Sequence, residues 1–158
     1  MVNFFSGLTY SPENIVDDGV LVIRSSNIQD GELINRDNVY VIPEYATSPL
    51  VKIGDVIVVV RNGSRDLIGK HAQVKNIENQ SVIGAFMTGI RYDIPEFINA
   101  LLDTPQFKIE INKNLGATIN QITTGEFKKM LFTFPTLPEQ QKIGALFRRL
   151  DRLITLHK

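Results

Sequence analysis

Short β-branched runs separated by turn residues fill the first half of the chain: Val20-Leu-Val-Ile-Arg24, Val39-Tyr-Val-Ile42 and Val56-Ile-Val-Val-Val60. The third run is apolar at every position, as a strand buried on both faces would be, and Gly54-Asp55 before it supplies a turn. It is therefore placed at the centre of a sheet. Further strands are predicted around Ala72 to Lys75, Val82 to Ile83 and Phe86 to Tyr92, so this half reads as one mixed, mostly antiparallel sheet.

Helical spacing takes over at Pro95, where Phe97, Ile98, Leu101 and Leu102 share a face, and a second segment carries Phe107, Ile109 and Ile111. A loop over 114–121 follows. Thr123 and Thr124 then cap a short helix, and Leu131-Phe-Thr-Phe134 alternates as a brief strand. The fold class expected is α+β, a sheet with peripheral helices and a C-terminal amphipathic, coiled-coil-like helix.

That last helix has the best-defined start. Thr136 and Glu139 have the spacing of a capping box, and Pro138 falls in the first turn, where its missing N–H is not needed. Ile143, Leu146, Leu150 and Leu153 then recur with a and d spacing, flanked by Phe147 and Ile154, while Arg148, Arg149, Asp151 and Arg152 occupy the other faces. The stripe either packs on its own sheet or forms a seam with another helix. Packing on the sheet is the commoner outcome for such a helix, but no Gly or Pro closes the pattern before His157-Lys158, so an interrupted coiled coil is a serious alternative.

Composition narrows the chemistry. At 158 residues the chain has the size of one domain. No apolar run approaches the ~20 residues of a membrane span, and the N-terminus lacks the pattern of a signal peptide, so a cytoplasmic location away from membranes is expected. Without cysteine there is no disulfide, thiol nucleophile or thiolate zinc site. The net charge of zero conceals an asymmetry: residues 1–60 hold eight acids and three bases, residues 61–158 nine acids and fourteen bases. A basic second half suits phosphate contact, and a neutral total argues against sequence-blind wrapping of DNA.

Three stretches carry a resemblance. Gly116-Ala-Thr-Ile-Asn-Gln-Ile-Thr123, Phe132-Thr-Phe-Pro-Thr-Leu-Pro-Glu-Gln-Gln-Lys-Ile143 and Leu150-Asp-Arg-Leu-Ile154 closely resemble the specificity subunit of type I restriction-modification enzymes, the Pro-Glu-Gln-Gln helix start being the most specific piece. Upstream, Val22 to Ile28, Gly54-Asp55, Val60 to Lys70 and Gly84-Ala-Phe-Met-Thr88 look like that family's recognition domain. The resemblance implies a target-recognition domain over 1–135 and the start of a conserved spacer helix over 136–158. It also implies double-stranded DNA as ligand and docking to a methyltransferase (modification) subunit, with a restriction and translocation subunit as indirect partner. S-adenosylmethionine, ATP and magnesium would then belong to those partners, with no cofactor on this chain and no catalytic residue. A complete subunit of the family has two recognition domains and two long helices, so this chain reads as half of one, starting inside the first strand, and a homodimer through the final helix is one way to complete it.

A domain that reads DNA needs cationic and amide groups on loops: Arg forks onto guanine, Asn and Gln onto adenine, Lys meets phosphate. Arg61, Asn62, Ser64 and Arg65 follow the buried strand, with Lys70 beyond; Arg24, Ser25, Ser26 and Asn27 follow another strand end. Both groups are candidate DNA contacts, with ordinary turns as the alternative. Asn120 and Gln121 are assigned mainly structural duty, and Lys113 and Asn114 read equally as backbone-phosphate contacts or as a solvated helix end. Gly63 to Lys70 fails as a phosphate-binding loop, having one residue too many between its glycines and His71 where Ser or Thr is required. Asp55, Gln73 and Lys75 imitate a nuclease triad but lack a second carboxylate. His71 and His157 are read as surface histidines. A DNA-specificity module is the first reading; a protein–protein adaptor and a small metal-dependent nuclease are the rivals.

Overall fold

The computed structural model describes residues 1–117 and 119–158; Thr118, within the 116–123 motif, lies outside the described residues. The strands are β1 (Asn3–Ser6), β2 (Ile15–Val16), β3 (Val20–Ile23), β4 (Ile28–Gln29), β5 (Glu32–Leu33), β6 (Val39–Val41), β7 (Val56–Val59), β8 (His71–Gln73), β9 (Ser81–Ile83) and β10 (Met87–Arg91). Four helices follow, α1 (Pro95–Leu102), α2 (Pro105–Asn114), α3 (Thr124–Lys129) and α4 (Leu137–Leu156). The fold is α+β, with mostly antiparallel pairing and helices on the periphery.

The single expected sheet is instead two. One runs in the order β1-β10-β7-β8, the other β2-β6-β3-β9, and β4 and β5 form a separate hairpin. The second sheet contains the parallel pair β3 and β9, joined in register from Leu21↔Ser81 to Ile23↔Ile83. A tight turn over Gly84 to Met87 carries the chain from β9 in that sheet to β10 in the other, closed by Met87 N–H donating to the Gly84 carbonyl at 3.0 Å. The end of β1 passes this junction closely: a Cβ on Gly7 would overlap the Gly84 carbonyl, so only glycine fits.

The uniform apolarity of β7 follows from this layering. Val56 and Val58 face the helices, in a cluster with Phe97, Phe107, Ile111, Ile122 and Phe127. Ile57 and Val59 face the second sheet, clustered with its Ile23 and Ile83 and with Ala72 and Met87 of their own sheet. Both faces are buried, so no polar residue is tolerated at either parity. Gly54, at φ +93°, makes the predicted turn into this strand.

The predicted helices form, with their caps. Thr123 accepts from Glu126 N–H at 3.2 Å while its own N–H donates to the Glu126 carboxylate at 2.7 Å, a full capping box. At α4, Thr136 donates to Glu139 from its N–H at 2.8 Å and its hydroxyl at 2.7 Å. In α2 the helical turn exposes Ile109 and buries Phe107 and Ile111, so only two of the three apolar positions face the core. The brief strand at 131–134 does not form. Its alternation is that of an extended connection: Phe132 packs on the core, Phe134 makes T-shaped contacts with Tyr92 and Phe97, and Leu131 is 81% exposed, with no neighbouring strand among the described residues to complete a ladder.

The first turns of α4 lie on α1. Gly144 permits the approach, since a Cβ there would meet Phe97 N at 3.1 Å, and buried Gln140 donates to the Pro135 carbonyl at 2.8 Å and accepts from the Tyr92 hydroxyl at 2.8 Å. Ile143 packs on the core beside them. Beyond it the stripe faces outward: Leu146, Phe147, Leu150, Leu153 and Ile154 are all exposed.

Candidate nucleic-acid interface

β3, β7 and β9 end on the same side of the molecule, and the two stretches singled out in the sequence meet there. The Asn62 amide donates to the Ser25 hydroxyl at 3.4 Å, and the Lys70 ammonium donates to the Ser25 carbonyl at 3.4 Å. Asn62 also accepts from Ser64 N–H at 2.9 Å, an Asx turn that shapes the loop, while Ser64 precedes a single 3₁₀ turn over Arg65–Leu67. A third segment closes the group from below. Arg65 donates to the Gly116 carbonyl at 3.3 Å, the Asn120 amide to the Gly63 carbonyl at 3.0 Å, and Arg61 pairs as a β-bridge with Gln121. Asn120 thus shapes the loop, as the sequence suggested.

The Arg24 to Asn27 stretch divides between surface and interior. Asn27 is 3% exposed, and its amide nitrogen donates toward the Ile34 and Arg36 carbonyls and Asn38 Oδ1 while its oxygen accepts from Arg24 N–H at 2.9 Å. Its amide builds the turn and does not reach the surface. The Arg24 guanidinium turns to the Asp37 carbonyl, and the Ser26 hydroxyl is enclosed without a partner among the described residues. Among the described residues, Ser25 is the one of this stretch that hydrogen-bonds to the loop after β7.

Phe86 was not among the candidates, because an aromatic inside a predicted strand reads as core. It lies instead on the turn between the sheets, 49% exposed, with the Arg61 guanidinium 4.7 Å above its ring. Nothing short of knowing that β9 and β10 belong to different sheets would have separated it from the strand.

The chemistry at the other end of β7 is structural. Asp55, 1% exposed, accepts from Arg91 Nε and Nη2 at 2.8 Å each and from Lys52 N–H at 2.8 Å. This carboxylate beside it raises the Arg91 guanidinium above its ordinary value. Lys75 is paired with Glu32 at 2.6 Å, so Asp55 and Lys75 do not assemble as a nuclease pair, and among the described residues no three His, Asp or Glu side chains are grouped to hold a metal ion. His71 is corrected from surface to interior: its ring is 10% exposed, with Nε2 3.0 Å from Asp103, Nδ1 2.8 Å from the Gly69 carbonyl and a T-shaped contact with Phe107. Asp103 lies far from His71 in the sequence, which is why no partner was foreseen.

The family described as the type I restriction modification DNA specificity domain matches residues 1–158. The chain belongs to that family. It is 28% identical, over 94% of its length, to the type I restriction enzyme StySPI specificity subunit of Salmonella potsdam and to the EcoKI specificity subunit of Escherichia coli strain K12. It spans about a third (33%) of the length of these curated relatives. Its fold is shared with the HsdS subunit from Thermoanaerobacter tengcongensis (TM-score 0.67, 17% identity, 98% of this chain and 36% of that one). It is shared equally with a chain solved in work on complex assembly and conformational transition of the type I R-M system (TM-score 0.72, 17% identity, 99% and 37%). Among the described residues no helix is long and apolar enough to cross a membrane.

Proposed function

We propose that residues 1–135 form a target-recognition domain that reads one half of a bipartite DNA site, and that 136–158 belong to a spacer helix. The observation that carries this reading is the meeting of Arg61, Asn62, Ser64, Arg65, Lys70 and Ser25 at one end of two packed sheets. Cationic and amide groups on loops held by rigid strands are what sequence readout needs, and it needs no reactive centre. The chain supplies specificity and docks a methyltransferase subunit that carries S-adenosylmethionine; ATP and magnesium belong to a restriction subunit further off.

Titration of the chain with duplex DNA at increasing salt tests this. Each phosphate contact contributes about −0.9 to the slope of log K against log salt. Loss of both Arg65 and Lys70 is expected to flatten the slope by nearly two such units, whereas binding that ignores salt favours a protein–protein adaptor.

The outward stripe on α4 supports a second element of the reading, a helical seam with a second copy formed by Leu146, Phe147, Leu150, Leu153 and Ile154, while Ile143, expected in the same seam, packs on this chain's own core. Leu146→Asp with Leu150→Asp converts a dimer to a monomer on a sizing column if this holds; a chain already monomeric at high concentration removes the seam and leaves the DNA reading intact.

A further inference from the structure

The positive groups at the candidate interface are not equivalent. Arg24 donates to the Asp37 carbonyl, Arg65 to Gly116 and Lys70 to Ser25, so each is drawn toward the backbone of a neighbouring loop. The Arg61 guanidinium has no hydrogen-bond or ion-pair partner among the described residues, yet it is held in place. Phe86 does this twice. Its carbonyl accepts from Val60 N–H at 2.9 Å and Arg61 N–H at 3.2 Å, and its ring supports the guanidinium at 4.7 Å. From the opposite side Ile122 N–H donates to the Val60 carbonyl at 2.8 Å and Gln121 bridges Arg61, so the backbone that carries the side chain is fixed on both flanks.

We propose that Arg61 is the base-reading side chain of this surface, presenting its N–H edge to a guanine in the major groove, and that Phe86 is its positioning residue. This rests on the DNA-reading function proposed above. A guanidinium held by an aromatic face keeps its in-plane N–H groups free, and those are the donors that fork onto O6 and N7 of guanine. Ordering the side chain before binding reduces the entropy lost on contact, and the exposed ring adds an apolar face beside the base. Arg65 and Lys70, tethered and flanking, serve as phosphate contacts that set the register.

The test is selection of bound duplexes by the whole chain from a pool with a randomised central stretch, followed by sequencing. Arg61→Lys keeps the charge and loses the fork, so it is expected to lower the preference for guanine at one position by roughly 10- to 100-fold while the salt slope is retained. Phe86→Ala is expected to weaken the preference at that same position, and Phe86→Tyr to restore it; a Phe86 that only supported the fold would instead reduce binding evenly across all sequences. Thermal midpoints of the three variants confirm that folding is retained. Unchanged base preference in Arg61→Lys, loss of preference for a base other than guanine, or a Phe86→Ala effect at a different position each overturn the assignment while the wild-type selection leaves DNA reading standing. If the wild-type chain enriches no sequence and binds without salt dependence, the DNA reading falls, and this assignment with it.

Discussion

β7 runs between two arginine sites that are alike in their aromatic setting and opposite in their use. At its start, Arg91 lies 5.1 Å from the Phe5 ring and both of its donating edges are taken, by the Asp55 carboxylate and the Leu50 carbonyl. At its end, Arg61 lies 4.7 Å from the Phe86 ring and meets no acceptor among the described residues. An aromatic support alone therefore does not tell a structural arginine from a recognition arginine. The deciding feature is whether an acceptor is built opposite the fork. A buried carboxylate makes the first site a clasp between β7, β10 and the 50–52 loop; its absence leaves the second available to a ligand.

The comparison is broken most forcefully at the clasp. Arg91→Ala leaves Asp55 enclosed with only the Lys52 N–H, and removing one member of a buried pair costs about 3–5 kcal/mol. Because the Arg91 side chain is 35% exposed, water partly replaces it, and the lower end of that range, about 3 kcal/mol, is expected in urea unfolding. A cost under about 1 kcal/mol would mean that the clasp is no more structural than the Arg61 site. Next in size is Gln140→Ala, which leaves the Tyr92 hydroxyl and Pro135 carbonyl without their shared partner where α4 joins this same end of the sheet. About 2 kcal/mol is expected, and a Gln140→Ala chain as stable as wild type would show that α4 docks through Gly144 and Ile143 alone.

How far this division was visible in the sequence depends on the range of the forces involved. β7 was legible because burial on two faces removes polar residues from consecutive positions, and the starts of α3 and α4 because a capping box lies within four residues. The Arg61 to Lys70 loop was legible as a candidate for the same local reason. What was not legible was set by partners distant in the chain. The split into two sheets depends on β9 pairing in parallel with β3 some sixty residues earlier while β10 turns away to β7. The burial of His71 depends on Asp103, and the exposure of Phe86 on the junction between the sheets. Asn27 had the chemistry of a base-reading residue, and only the carbonyls of 34 and 36 closing around its amide reveal it as a turn-builder.

Smaller effects sharpen the Arg61 end. Thr123 fixes the start of α3 immediately after the Gln121-Ile122 segment that braces Arg61, and Thr123→Ala is expected to cost about 1 kcal/mol. The effect should depend on pH. The Thr123 backbone N–H, and then its hydroxyl, hold the Glu126 carboxyl below its ordinary value of 4.5. A carboxyl lowered in the folded state contributes stability that is present above that ordinary value and is lost as pH falls through the lowered one. Thr123→Ala keeps the backbone donor and removes the hydroxyl, so the hydroxyl's share of the gap in thermal midpoint is expected to narrow as pH falls below the ordinary carboxyl value; a gap that widens on acidification would place the capping contribution elsewhere.

Arg61→Ala carries the smallest stability change and decides the most. Among the described residues its guanidinium gives the fold only an exposed cation–π contact, so about 0.5 kcal/mol is expected, several times less than for Arg91→Ala although both remove an arginine from a phenylalanine ring. The two variants measured side by side in the same urea titration test the comparison directly. Equal losses would mean that Arg61 is engaged in the fold through a partner like that of Arg91. A near-neutral Arg61→Ala, in a chain whose Arg91→Ala counterpart is strongly destabilised, separates an arginine that holds the protein together from one that the protein merely holds ready.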